Sequence, residues 1–223
     1  MAAIIEAEIY LIRHGESKGN VRSAQDEALT VCDREDPELT KTGVLQAQKA
    51  GVFLKDVELA SVFSSGLKRA VRTATEIIKE QKNPQALEIL PYVTEAGISE
   101  EYETSFDTIR KINPQAILAQ GLKEEDGLIC HTSAKDEMGL FQKAETAVSY
   151  LRSRFTNGEK IAVISHGAFN TYFIFHLMGF KECPIFDLNF RNTGVTKIVL
   201  YKKGTNPYGD IVFDYINDSS HLY

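Results

Sequence analysis

At 223 residues and 43% hydrophobic, the chain has the material for one large domain with a real core. Its formal charge of −6 argues against general nucleic-acid binding, which wants a basic face, but leaves room for a local cationic pocket. Cys32, Cys130 and Cys183 form no CxxC pair, no stretch of 18 apolar residues exists, and the first apolar stretch carries Glu6 and Glu8 rather than a signal-peptide core. The expectation is a cytoplasmic protein with reduced, buried thiols, no structural metal, no membrane contact and no nucleic-acid partner.

Residues 4–12 read as a first buried strand. From Val21 to Asp36 the chain is polar, a surface excursion or a short helix closed by Pro37. Thr40 or Thr42 then caps a helix whose apolar face is expected from Leu45, Ala47, Val52 and Phe53. Leu59–Phe63 is a second strand, and KRAVRTATEII after it is a strong helix start. Leu87–Leu90 is a third strand. Strand, helix, strand, helix, strand predicts helices covering a mostly parallel sheet. Residues 97–127 change character, with Asn113-Pro114 and many acids. They read as one or two short helices outside the sheet, a cap-like insertion over about 98–130 within a single domain. Lys135–Phe155 is a longer helix, Lys160–Ser165 the clearest central strand, and Ala168–Met178 an apolar helix with Gly179 as its C-cap. Thr196–Tyr201 and Ile211–Ile216 read as late strands at the sheet edge.

The first strand runs straight into Arg13, His14 and Gly15. A cation and an ionisable ring at the end of an apolar strand are costly unless something anionic or functional meets them. The C-terminal edge of a sheet is where α/β proteins put ligands. Glu16, Ser17 and Asn20 add polar groups, though Ser17 and Asn20 also suit simple loop capping. The strand at 160–165 repeats the logic, ending in His166-Gly167. Arg69 opens the helix after the second strand. Two arginines and two histidines in one crevice of an acidic protein call for a compact anion, and phosphate suits the guanidinium fork.

These residues, in this order, resemble the histidine phosphatase superfamily, the phosphoglycerate mutase-like family. Arg13-His14-Gly15-Glu16-Ser17 with Asn20 matches its first motif. Leu39-Thr40 with Gly43 matches the next. Ser64-Ser65, Arg69-Ala70 and Thr73-Ala74 match the segment with the second phosphate-binding arginine, and Ser165-His166-Gly167 the second histidine motif. Asn192 resembles a polar position before a late strand. The likeness spans 8 to about 200. It implies a three-layer helix–sheet–helix α/β fold with a mostly parallel sheet. It also implies a phosphohistidine on His14, with Arg13, Arg69 and His166 on the phosphoryl oxygens and Asn20, Ser17 and Gly167 as further phosphate contacts. Glu95 takes the place of the family's general acid, with Glu100 and Glu101 as nearby rivals. No metal or other cofactor is implied, and the partner is a small phosphate ester.

The chain departs from the family's pattern at three places. Gly19 stands where phosphoglycerate mutases commonly have tryptophan, and Gly97–Tyr102 replaces a tryptophan-bearing pattern common in simple phosphatases. Lys143 stands roughly where an arginine often lies. Tyr92, Tyr102 and Phe106 either wall the leaving group or pack the cap on the sheet. Between 98 and 130 the basic residues are Arg110, Lys111 and Lys123 against seven acids. That balance favours a phosphatase of a small metabolite over a mutase using a bisphosphorylated cofactor, and over a weakly catalytic binding protein. His131, His176 and His221 are expected to have bland roles.

Overall fold

In the computed structural model the described residues are 2–21, 30–133, 135–184 and 186–223. The acidic stretch read as a surface excursion lies partly at 22–29, outside them. Strand β1 (Ile5–Arg13) sits deep in the molecule. Its period of two sends Ala7, Ile9 and Leu11 into one buried cluster and Tyr10 and Ile12 into another. A strand covered on both faces reads as a near-continuous apolar run, which is why Ile9, Leu11 and Ile12 stand so close together.

The remaining elements are α1 (Val31–Glu35), α2 (Lys41–Leu54), β2 (Leu59–Ser64), α3 (Lys68–Lys79), β3 (Leu87–Ile89), α4 (Phe106–Ile112), β4 (Ile117–Leu118), α5 (Glu137–Arg154), β5 (Glu159–Ser165), α6 (Gly167–Leu177), β6 (Val195–Tyr201) and β7 (Ile211–Asp218). The sheet order is β4-β3-β2-β5-β1-β6-β7. All neighbours from β4 to β1 pair in parallel, and β6 runs antiparallel to both β1 and β7. Residues of α5 and α6 bury with Ile9 and Leu11; residues of α2, α3 and α4 bury with Tyr10 and Ile12. This is the expected three-layer arrangement with a mostly parallel sheet. The parallel pairing of β1 with β5, in register from Ala7↔Glu159 to Arg13↔Ser165, brings their C-terminal ends side by side.

Three expectations need correction. The inner face of α2 is Gly43, Ala47, Ala50, Gly51 and Leu54, while Leu45 is 61% exposed and Val52 and Phe53 also face out. Small side chains let α2 lie close on α3, where a methyl at Gly51 would strike Glu80. The region 97–127 is not wholly outside the sheet. Helix α4 is, but Ile117–Leu118 extends the edge, pairing with Glu88 and Ile89 of β3. Two residues are too short to show a period. Cys183 is exposed rather than buried, since the loop after α6 leaves it at the surface. Cys130 is half-buried, and both are free thiols.

Candidate active site

At the end of β1 the backbone is held from several sides. The His14 amide donates to the Ser165 carbonyl at 2.9 Å, and the Gly15 amide to Thr73 Oγ1 at 3.0 Å. Gly15 and Gly43 meet backbone to backbone: a side chain at Gly15 would overlap the Gly43 carbonyl, and one at Gly43 would overlap Glu16. Thr40, the N-cap of α2, receives the Gly43 amide at 3.0 Å and also donates its hydroxyl to the Glu16 carboxylate at 2.6 Å. The first turn of α2 therefore clamps the loop after His14.

His14 is buried, with Nδ1 2.7 Å from the carbonyl oxygen of its neighbour Gly15. A carbonyl only accepts, so Nδ1 carries the proton and Nε2 of the neutral ring keeps its lone pair. Burial, then Arg69, hold the ring's pKa well below the usual histidine value; the Gly15 bond pushes the other way, and Arg13 adds a lesser downward push. The His166 ring lies 5.1 Å from that of His14, centroid to centroid, tilted by 58°. Here the committed nitrogen is Nε2, 2.8 Å from Ser65 Oγ, and Nδ1 is buried with no partner among the described residues. Burial and then Arg69, His14, Lys143 and Arg13 also push His166 well down.

Arg69 reaches the site from the first turn of α3. Its guanidinium donates to the Glu35 carbonyl at 3.1 Å and lies 3.6 Å from the Asp36 carboxylate. Asp36 is itself fixed by the Tyr102 hydroxyl at 2.7 Å and the Lys68 amide at 2.8 Å. Burial pushes the Asp36 carboxyl up, outweighing these partners. Arg13 donates to the Phe190 carbonyl, and its Nε is buried without a partner among the described residues. Gly167, the first residue of α6, leaves room beside that guanidinium. Three donors converge on Asn20 Oδ1: the Ser17 amide at 3.0 Å, the Ser17 hydroxyl at 3.2 Å and the Asn192 amide group at 3.2 Å. Asn192 also donates to the His14 carbonyl at 3.0 Å.

Glu95 follows the single turn Pro91–Val93 after β3. One carboxylate oxygen accepts from its neighbour's amide at 3.0 Å and from the Phe169 amide, in the first turn of α6, at 3.1 Å. Lys143 of α5 is buried beneath this segment, its ammonium donating to the carbonyls of Glu95 at 3.4 Å and Cys130 at 3.2 Å. Burial lowers its pKa to about 8.

The structure thus brings Arg13, His14, Ser17, Asn20, Arg69 and Glu95 onto one cleft of about 280 Å³, with His166 beneath it against His14. Tyr92 and Phe106 pack into the two cores, and Tyr102 spends its hydroxyl on Asp36. His131 pairs with Glu103 at 3.0 Å. His221, expected to be irrelevant, sits 3.1 Å from Thr193 Oγ1, and the Thr193 amide donates to the Arg13 carbonyl at 3.0 Å. Sequence reasoning missed the work of Ser65, Asp36 and Thr73. Ser65 and Thr73 stood inside recognised motifs. Asp36 carried no signal, being one acid in an acidic stretch.

Residues 9–207 match the model of the histidine phosphatase superfamily, branch 1. A Schizosaccharomyces pombe protein named a probable phosphatase is 29% identical over 177 residues, covering 78% of this chain and 58% of that protein. The chain thus spans less than two thirds of that relative's length. A 2,3-bisphosphoglycerate-dependent phosphoglycerate mutase of Methylobacterium radiotolerans is 24% identical over 222 residues, covering 94% of this chain and 97% of that one. Among solved structures, YhfR of Bacillus stearothermophilus shares the fold at a TM-score of 0.65 and 23% identity, over 97% of this chain and 100% of its own. With its two strand-end histidines, the buried Arg69 and half-buried Arg13 beside them, and a family match across most of its length, this chain belongs to the histidine phosphatase superfamily.

Proposed function

We propose that the chain is a metal-independent phosphatase that hydrolyses a small phosphorylated metabolite through a phosphohistidine on His14. The observation that carries this is the wiring of His14. Its Nδ1 is spent on the Gly15 carbonyl, so Nε2 is the nucleophilic atom of a ring that burial keeps neutral. In the first step Nε2 forms a bond to phosphorus while the bond to the leaving oxygen breaks, and protonated Glu95 gives that oxygen its proton. In the second step water attacks the phosphohistidine, ionised Glu95 takes the water's proton, and His14 leaves with its electron pair. Arg13 and Arg69 neutralise the equatorial oxygens, which is the part a metal plays elsewhere. With Ser65 donating to Nε2 of His166, its Nδ1–H is left as a donor to the same oxygens. Asn20, Ser17 and the Gly167 amide complete the rim. The segment at about 98–130 acts as a cap-like insertion on a single domain.

The likeness to a phosphoglycerate mutase over 94% of the chain favours a second reading, a cofactor-dependent mutase. The test is phosphate release from small phosphomonoesters in excess chelator, with wild type and His14→Ala, beside a 3-phosphoglycerate isomerisation assay. Release that falls by about 10³-fold or more in the variant, with loss of acid-quenched phosphoenzyme, is the expected result. Isomerisation dependent on a bisphosphorylated primer, with little release, makes the chain a mutase. Phosphate binding without turnover in either assay makes it a binding protein.

A further inference from the structure

The cleft over His14 continues past Glu95 and Arg13 into a second hollow of about 610 Å³. The two spaces share those two side chains, so Glu95, the acid proposed for the leaving oxygen, stands on their common border. The hollow's chemistry differs from that of the phosphate end. Tyr172, Phe186 and Phe190 supply apolar surface, and Asp187 lies between the two phenylalanines on the loop after α6. Among the described lining residues Arg13 is the one cation, against the carboxylates of Glu95 and Asp187. On the other side of Glu95 the cleft holds Arg13, Arg34 and Arg69.

The hollow is built rather than incidental. The Phe186 ring stands edge-on to Phe175 at 5.5 Å and to Phe180 at 6.1 Å, so its position is packed although half its surface is exposed. Asp187 Oδ1 accepts from the Leu188 amide at 2.7 Å and lies 3.4 Å from Thr171 Oγ1 of α6, whose single proton is shared with the Gly167 and Leu188 carbonyls, each at 3.2 Å. A carboxylate fixed in this way repels a second anion on the leaving group, and the aromatic surface rewards an apolar body. Resting on the phosphatase reading above, we propose that this hollow is the leaving-group subsite. It selects phosphomonoesters whose alcohol or phenol has an apolar or aromatic body and bears no second anionic group. Diphosphorylated sugars and phosphorylated carboxylic acids are disfavoured by Asp187.

The test uses three matched esters: 4-methylphenyl, 4-(aminomethyl)phenyl and 4-carboxyphenyl phosphate. Wild-type kcat/KM is expected to be about fivefold or more higher for the methyl and aminomethyl esters than for the carboxyl ester at low salt, with the gap closing as ionic strength rises. Asp187→Asn should cut the methyl-to-carboxyl ratio several-fold, and Phe186→Ala should raise KM for the methyl ester. Equal rates on all three esters, or a ratio that Asp187→Asn does not move, overturn the subsite while leaving the phosphatase reading intact. No release from any of the three, with release from an aliphatic phosphomonoester in the screen above, overturns the subsite alone; silence in both overturns both.

Discussion

The ends of β1 and β5 invite comparison. Each is a buried parallel strand that closes on histidine and glycine, and the two rings lie 5.1 Å apart under the same arginines. They are wired at opposite nitrogens. His14 spends Nδ1 on a backbone carbonyl, while His166 spends Nε2 on the Ser65 hydroxyl. One dipeptide at two neighbouring strand ends is thus anchored at opposite nitrogens, Nδ1 in one ring and Nε2 in the other, and in the mechanism proposed above the first ring leaves a lone pair and the second a donor. What differentiates them is the partner each ring meets: His14 turns to the carbonyl of its own glycine, His166 to the Ser65 hydroxyl just after β2.

The largest expected effect separates the two rings by role. His166→Ala should lower kcat by about 10²–10³-fold yet still give a trapped phosphoenzyme, whereas His14→Ala gives none. A phosphoenzyme that vanishes equally in both variants would erase the distinction. The next tests what the rings share. Both titrate well below the ordinary histidine range, so between about pH 6.5 and those lowered values the unfolded chain binds protons that the fold refuses. Stability therefore falls as pH falls, by about 1.4 kcal/mol per pH unit for each ring. Urea unfolding from pH 7 downwards should show this slope, and each single histidine-to-alanine substitution should remove part of it. A slope unchanged in both variants would place the acid sensitivity elsewhere. The smallest effect sharpens the wiring. Ser65→Ala should slow turnover about tenfold and lower stability by about 1–3 kcal/mol, because it leaves Nε2 of the buried His166 ring without its partner. Loss of stability without loss of kcat would make Ser65 a packing residue only.

Much of this was legible in the sequence. Arg13, His14, Arg69 and His166 could be gathered in advance because strand ends and helix starts have strong local signals. Parallel pairing then forces such ends onto one edge. Glu95 was placed through resemblance, not pattern. What escaped were contacts between segments far apart in sequence. Asp36 under Arg69 and Ser65 on His166 depend on where loops land, and no period encodes that. The face of α2 was misread for a related reason. Its inward side is made of glycine and alanine, so hydrophobicity pointed to Leu45 and Val52 while closeness to α3 selected the small residues. β4 escaped because two residues carry no alternation.

The meeting of Gly15 with Gly43 has a consequence for how far such a chain can diverge. Where two backbones touch with no room for a side chain, the placement of the His14 loop is written in main-chain shape rather than in side-chain identity. The opposite face of α2 faces water and is free of that duty, as Leu45 and Val52 show. Drift can therefore run across most of the surface while two small positions keep α2 seated on the loop. A fold shared at 23% identity over 97% of the chain is what such an economy of fixed points permits.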